Sequence, residues 1–190
     1  TDSTQHFDVL IVGAGMVGSA LACALADTRL RIGLLDSQAL ELIPAPVTGS
    51  GFDPRVSALS AASEQILKGL GAWQRLGLNA GLPYRSMCVW DAEGTGEVHF
   101  DAQALGESRL GHIVENYRVQ NGLLQQLHAS QVTLLPGVKV RGLVREDSGW
   151  RIDGNEGQRL QAPLIVAADG ARSRLRELAG FAMREWDYLH

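Results

Sequence analysis

The residues whose spacing carries the most chemistry lie near the start of the chain, in Asp8-Val-Leu-Ile-Val-Gly-Ala-Gly-Met-Val-Gly18. A carboxylate, Asp36, closes a second apolar run at Leu34-Leu35-Asp36. Gly-x-Gly-x-x-Gly between an apolar strand and a helix is a pattern that holds a dinucleotide. Gly13 permits the tight turn, and Gly15 lets a pyrophosphate approach the backbone without meeting a Cβ. Gly18 lets the helix pack close to the sheet. The free N–H groups of that helix start, Met16 and Val17 among them, and its positive dipole end then face the phosphates. Asp36 is placed to accept hydrogen bonds from an adenosine ribose. The glycines alone are a weak signal. The strand before them, the helix after them and the distal acid make the pattern specific.

Two further groups carry chemistry. In Asp169-Gly170-Ala171-Arg172-Ser173, a carboxylate and a glycine follow the uncharged run Leu164–Ala168, at the strand end where open α/β sheets bind ligands. Asp169 there either holds ribose hydroxyls beside a cofactor or caps the helix that follows. Arg55, in Asp53-Pro54-Arg55-Val56-Ser57, has the fork geometry that suits a phosphate, or it is a surface arginine pairing with Asp53. Spacing alone favours the pair with Asp53.

The elements that must position these residues follow from periodicity. Phe7–Val12 and Leu30–Leu35 read as strands and Met16–Ala26 as a helix. Glu41–Pro54, with Pro44, Pro46 and Pro54, is an irregular loop. Leu59, Ala62, Ile66, Leu67 and Leu70 recur at helical spacing, which predicts a helix over Ser57–Leu70 with Ser57 as N-cap. Ala72–Leu76 reads as a short continuation. Ser86–Asp91 and Glu97–Asp101 are strands of a hairpin, His112–Glu115 a strand, and Tyr117–Ala129 a helix. Val132–Leu135, Val138–Glu146, Trp150–Asp153 and Arg159–Leu160 suggest a β-meander. Leu164–Ala168 has the character of a central parallel strand, and Ala171–Ala179 that of a helix.

Val9–Ala26 also runs eighteen residues without a charge, close to the ~20 that span a bilayer. Against a signal peptide or anchor, Thr1–Asp8 carries Asp2 and Asp8 and no Lys or Arg. A length of 190 residues suits one domain, or one domain and part of another, and 45% hydrophobic residues indicate a packed core. A formal charge of −4 without a basic run argues against a nucleic-acid partner. Cys23 and Cys88, far apart in apolar settings, read as buried free thiols in a reducing compartment. The histidines at 6, 99, 112, 128 and 190 show no HxxxH pairing, so no metal site is expected.

On these segments the chain resembles the FAD-dependent aromatic hydroxylases of the para-hydroxybenzoate hydroxylase type, and among them the bacterial ubiquinone-biosynthesis monooxygenases. The resemblance is carried by Val9–Gly18 with Asp36, Arg55-Val-Ser-Ala-Leu-Ser-Ala-Ala-Ser63, Val89-Trp90-Asp91, Gly111-His-Ile-Val-Glu-Asn116, Ala168-Asp-Gly-Ala-Arg-Ser173 and Trp186-Asp187-Tyr188. It implies an α/β fold: a Rossmann-like FAD-binding domain with a β-meander and the start of a substrate-covering sheet domain. The FAD-binding domain would be discontinuous, near 1–80 and 100–180. A hairpin region near 81–101 would be inserted, and the second domain would begin near 181–190.

The resemblance further implies that Gly13, Gly15, Met16, Val17 and Gly18 cradle the FAD pyrophosphate and that Asp36 holds the ribose, where relatives commonly carry Glu. Arg55 would contact the phosphate and ribityl portion, Asn116 would be a polar flavin contact, and Asp169 and Gly170 would serve FAD and NAD(P)H binding. His112 is more simply a satisfied core or surface histidine. The implied reaction uses NAD(P)H to reduce FAD and O₂ to hydroxylate the ring of a polyprenylated phenol. Access to such a substrate would be from a membrane face, and the implied setting is cytoplasmic, peripheral at the inner membrane, in a ubiquinone-biosynthesis complex. The family's later Gly-Asp segment is not found in these 190 residues, no catalytic acid or base can be assigned among them, and they are expected not to hydroxylate alone. The rivals are an NAD-binding dehydrogenase domain and a non-catalytic flavoprotein or assembly subunit.

Overall fold

The computed structural model describes residues 4–45, 53–77 and 81–184. Trp186-Asp187-Tyr188 and most of the segment expected to open a second domain lie outside the described residues. Along the chain come β1 (Thr4–His6), β2 (Val9–Val12), α1 (Met16–Leu25), β3 (Ile32–Leu35), β4 (Val56–Ser60) and α2 (Ala61–Gly69). There follow β5 (Gly81–Tyr84), β6 (Ser86–Trp90), β7 (Glu97–Asp101), β8 (Gly111–Glu115) and α3 (Asn116–His128). The last elements are β9 (Thr133–Leu135), β10 (Gly142–Glu146), β11 (Gly149–Asp153), β12 (Arg159–Ala162), β13 (Leu164–Ala167) and α4 (Arg174–Leu178). The chain divides into two compact units, Thr1–Glu41 with Leu127–His190, and Leu42–Gln126.

The first unit is built on a parallel sheet in the order β13-β2-β3-β9. Every residue of β2 and β3 is buried, which is why both read as uninterrupted apolar runs. Beside it a second sheet, β1-β12-β11-β10, forms the meander, with β1 parallel to β12 and the other pairs antiparallel. The core joins the two sheets through Phe7, Leu10, Leu35, Ile152, Leu160 and Leu175. Two expectations are corrected. Thr133–Leu135 pairs parallel with β3 and so belongs to the parallel sheet, not the meander. Leu164–Ala167 is an edge strand of that sheet among the described residues, and Leu164 is correspondingly half-exposed.

In the second unit, β4 and β5 flank β8 in an antiparallel sheet, while β6 and β7 pair with each other. Here the predicted helix over Ser57–Leu70 is wrong in its first turn. Val56–Ser60 pairs residue for residue with Glu115–Gly111, and the helix begins only at Ala61, with Ser60 as its N-cap. The Ser60 hydroxyl accepts the Ser63 N–H at 3.2 Å, whereas the Ser57 hydroxyl donates to Asn116 Oδ1 at 2.6 Å. Tertiary strand pairing has overridden a local helical period. The strand β5 had no sequence signal, since Gly81-Leu-Pro-Tyr84 lacks alternation. Cys23 is buried, and that burial pushes its thiol up to about 11. Cys88, expected to be buried, is exposed, because β6 pairs among the described strands only with β7 and both faces of that ribbon are open, Val89 and Phe100 being exposed as well.

No described helix is long and apolar enough to cross a membrane. The uncharged run Val9–Ala26 is instead divided into a four-residue strand, a turn and the ten-residue α1.

Candidate functional site

The turn between β2 and α1 is fixed from three sides. Gly13 N–H donates to the Leu35 carbonyl at 2.8 Å, and Ala168 N–H donates to the Val12 carbonyl at 2.7 Å. These bonds lock the ends of β2, β3 and β13 to one another. Gly13 has φ +102°, and a Cβ there would stand 2.3 Å from the Ala168 carbonyl oxygen. A Cβ on Gly18 would stand 1.9 Å from the Gly13 carbonyl oxygen. Both glycines are therefore demanded by the packing of the turn itself. Gly15 differs. It has an ordinary φ of −66°, and nothing lies within 4 Å of where its Cβ would be.

Gly15 is also the N-cap of α1, and neither a side-chain cap nor a first-turn acid is present. The opening N–H groups of a helix have no intrahelical partner, so Met16, Val17 and Gly18 present donors and a positive dipole end here. Val17 is 77% exposed and Met16 half-buried. Ser19, which sequence reasoning missed, is fully buried, and its hydroxyl donates to the Ala14 carbonyl at 3.0 Å. A serine among small residues at the start of a helix was the only available hint.

Asp36 completes the turn. Its Oδ2 accepts the Ala14 N–H at 2.7 Å and its Oδ1 accepts the Gln38 N–H at 2.9 Å. The carboxylate thus joins the glycine turn to the end of β3. A cavity of about 390 Å³ opens beside it, lined by Gly13, Asp36, Lys139, Asp169, Arg172 and Arg174 among others. Carboxylates can accept from hydroxyl groups there, and the cations can meet an anion. Lys139 was not anticipated, because it arrives from the segment between β9 and β10, a hundred residues away in sequence from Asp36. A larger cavity of about 570 Å³ is mostly apolar, with Leu143, Trp150, Ile165, Leu175 and Phe181 in its wall. Its wall also holds Gly170, Ser173 and Arg176, but Gly13, Asp36 and Asp169 line only the smaller cavity of the two, which is therefore the better site for a dinucleotide.

Asp169 is engaged locally. Its Oδ1 accepts the Ser173 hydroxyl at 2.5 Å and its Oδ2 accepts the Leu175 N–H at 3.1 Å. Ser173, buried, is the N-cap of α4 and accepts the Arg176 N–H at 3.0 Å. Asp169 therefore orders the turn into α4, in line with the capping role its sequence allowed, and it also borders the cavity. Gly170 follows with φ +83° and open space around it.

The second unit holds the other two expected site residues. The Arg55 side chain is 79% exposed, and its Nε lies 3.6 Å from Asp53 Oδ1. Asn116 opens α3, donates its N–H to the Arg55 carbonyl at 3.0 Å and takes the Ser57 hydroxyl bond described above. Asp53 N–H donates to Glu115 Oε1 at 2.8 Å, and Glu115 is paired with Arg118. Burial works against the Glu115 charge, but the Asp53 N–H and the Arg118 guanidinium overcome it and hold its carboxyl below the ordinary range. His112 is a satisfied, half-buried histidine, with Nδ1 2.9 Å from Glu64 Oε2 and its ring edge-on to Trp73.

The chain is similar over 189 residues to the 3-demethoxyubiquinol 3-hydroxylase of Escherichia coli, at 39% identity, covering 98% of this chain and 47% of that protein. It is 35% identical over 182 residues to the ubiquinone hydroxylase UbiL of Rhodospirillum rubrum, covering 95% and 41%. Among solved structures it shares its fold with PqsL, a probable FAD-dependent monooxygenase from Pseudomonas aeruginosa. The TM-score is 0.73 at 19% identity, over 97% of this chain and 48% of that one. The chain spans about half the length of the curated relatives it matches. Residues 6–189 match the FAD binding domain family, and the chain belongs to it.

Proposed function

We propose that the cavity beside Asp36 receives the adenosine and pyrophosphate of FAD, and that the chain is the flavin-binding part of a monooxygenase. That enzyme hydroxylates the aromatic ring of a polyprenylated phenol in ubiquinone biosynthesis, with NAD(P)H and O₂ as co-substrates. The observation that carries the reading is the contrast among the three glycines. Packing accounts for Gly13 and Gly18, whereas the open space at Gly15 leaves room for a ligand to press against its bare Cα. The names of the two hydroxylase relatives support the substrate class.

In this reading the N–H groups of Met16, Val17 and Gly18 hold the pyrophosphate at the dipole end of α1. Asp36 accepts from the ribose while keeping the turn closed through Ala14. Arg55 and Asn116 contact the flavin's ribityl side, and Asp169 and Gly170 let the cofactor approach the end of β13. FAD, when bound, supplies the redox chemistry and the oxygen activation. The protein's part is positioning and exclusion of water. We read the FAD-binding region as discontinuous, near 1–80 and 100–180, with the hairpin region near 81–101 inserted and a substrate-covering sheet domain opening near 181–190. Association with a ubiquinone-biosynthesis complex, peripheral to a membrane on the cytoplasmic side, suits so apolar a substrate.

The test has two arms. Titration of the chain with FAD, followed by flavin fluorescence, is expected to saturate at one equivalent, and Asp36→Ala to weaken binding roughly 10–100-fold. Binding of NAD with no affinity for FAD would overturn the reading in favour of a dehydrogenase domain. Deletion of the gene in its source should accumulate an under-hydroxylated, polyprenylated quinone precursor. An unchanged quinone profile would leave a flavoprotein without this activity.

A further inference from the structure

The hairpin formed by β6 and β7 brings together three side chains of different chemistry. Cys88 pairs directly with His99 across the strands, and Glu97 precedes His99 by two residues, so all three share one face of the ribbon. Cys88 Sγ lies 3.0 Å from Glu97 Oε1, and His99 Nε2 lies 2.9 Å from the same oxygen. Cys88 Sγ and His99 Nε2 are 3.9 Å apart. Among the described residues this is the one group of three or more His, Cys, Asp or Glu side chains whose ligand atoms come so close. The sequence concealed it, because Cys-x₈-Glu-x-His matches no linear metal spacing and closes only when the hairpin forms.

We propose that Cys88, Glu97 and His99 bind a divalent cation of the zinc class. A tetrahedral ion with bonds of about 2.0–2.3 Å to O, N and S sets its ligand atoms about 3.3–3.6 Å apart. The observed separations of 2.9, 3.0 and 3.9 Å bracket that range, and small rotations of exposed side chains bring all three onto it. One thiolate, one imidazole and one carboxylate form a borderline-soft donor set that suits Zn²⁺ and not Ca²⁺ or Mg²⁺, which prefer oxygen alone. The two anionic ligands balance the charge of the ion, the thiol proton is released to solvent on binding, and water takes the fourth position. Because β6 and β7 pair only with each other among the described strands, an ion held from both strands fastens a ribbon that is otherwise marginal.

The probe is Co²⁺ alone, added to the tag-free, thiol-reduced chain without FAD, so the result is independent of the flavin reading. One equivalent should produce a thiolate-to-cobalt charge-transfer absorption with the strong visible bands of tetrahedral Co²⁺, and Zn²⁺ should bleach both. The absorption should be lost in Cys88→Ala and His99→Ala and weakened in Glu97→Gln. These side chains are exposed, so circular dichroism should report an unchanged fold. With Zn²⁺, amide hydrogen exchange across β6 and β7 should slow in the unaltered chain and not in Cys88→Ala. Absence of the charge-transfer band from the unaltered chain, or its persistence in Cys88→Ala, would overturn the site.

Discussion

Asp36 and Glu64 are carboxylates that organise their surroundings in opposite ways. Glu64, only 2% exposed, is closed off by Lys68 Nζ at 2.6 Å, Arg109 Nη2 at 2.9 Å and His112 Nδ1 at 2.9 Å. Burial opposes its charge, yet the three donors overcome it and hold the carboxyl down to about 2. Asp36 takes two backbone N–H groups and still borders an open cavity. The first arrangement spends its bonding capacity on holding α2 to the segment that leads into β8. The second holds a turn in place and leaves capacity for a ligand. A saturated buried charge therefore marks structure, and a half-satisfied one at the end of a parallel sheet marks a site.

The largest expected effect breaks the turn itself. In Gly18→Ala the new Cβ meets the backbone oxygen of Gly13, so α1 must move from the sheet. A loss of about 3 kcal/mol or more is expected, read by urea unfolding. A change within ~0.5 kcal/mol would show that the close packing of α1 is not needed. Next comes Glu64→Gln, which leaves Arg109 and Lys68 without their anion. The loss should be about 2–3 kcal/mol, below that of a fully buried pair because both partners are partly exposed. The sign with pH follows from the lowered carboxyl. The Glu64 contribution is whole above its ordinary value of 4.5 and disappears as pH falls toward about 2. The melting gap between the unaltered chain and Glu64→Gln should thus be wide at neutral pH and close on acidification. A gap constant across that window would mean that the ion cluster contributes nothing through charge. Asp36→Asn is milder. Its amide nitrogen cannot accept from Ala14 or Gln38 as a carboxylate does, which costs about 1 kcal/mol of stability and roughly tenfold in FAD affinity.

The same contrast explains what the sequence disclosed. The strand, turn, helix and second strand around Gly13–Asp36 were legible because every part is local and each residue type answers one steric or electrostatic need. Glu64 was invisible, since its partners Arg109 and His112 lie 45 and 48 residues away and meet it only after β8 has paired with β4. Ser57 misled for the same reason. It stands in a good helical register, and only long-range pairing with β8 places it in a strand. Asp169 was legible as a residue but not as an actor, because helix capping and ligand binding call for the same Asp-Gly pair at the same strand end. The hairpin of β6 and β7 was drawn correctly, but its sequence did not show that Cys88, Glu97 and His99 share one face.

The sharpest separation of fold from function is also the smallest effect on stability. Gly15→Ala adds a methyl group where φ is −66° and no atom lies within 4 Å, so neither strain nor overlap follows. Alanine reduces the freedom of the unfolded chain but caps a helix start less well than glycine, so the two effects offset and stability should hold within about 0.5 kcal/mol. Flavin affinity should nonetheless drop at least tenfold, because the methyl stands where the pyrophosphate must touch the backbone. The pair of measurements, unfolding and FAD titration on one variant, is decisive in both directions. A stable Gly15→Ala chain that still binds FAD as well as the unaltered one would remove the ligand from the glycine turn and leave Gly15 explained by its N-cap position alone.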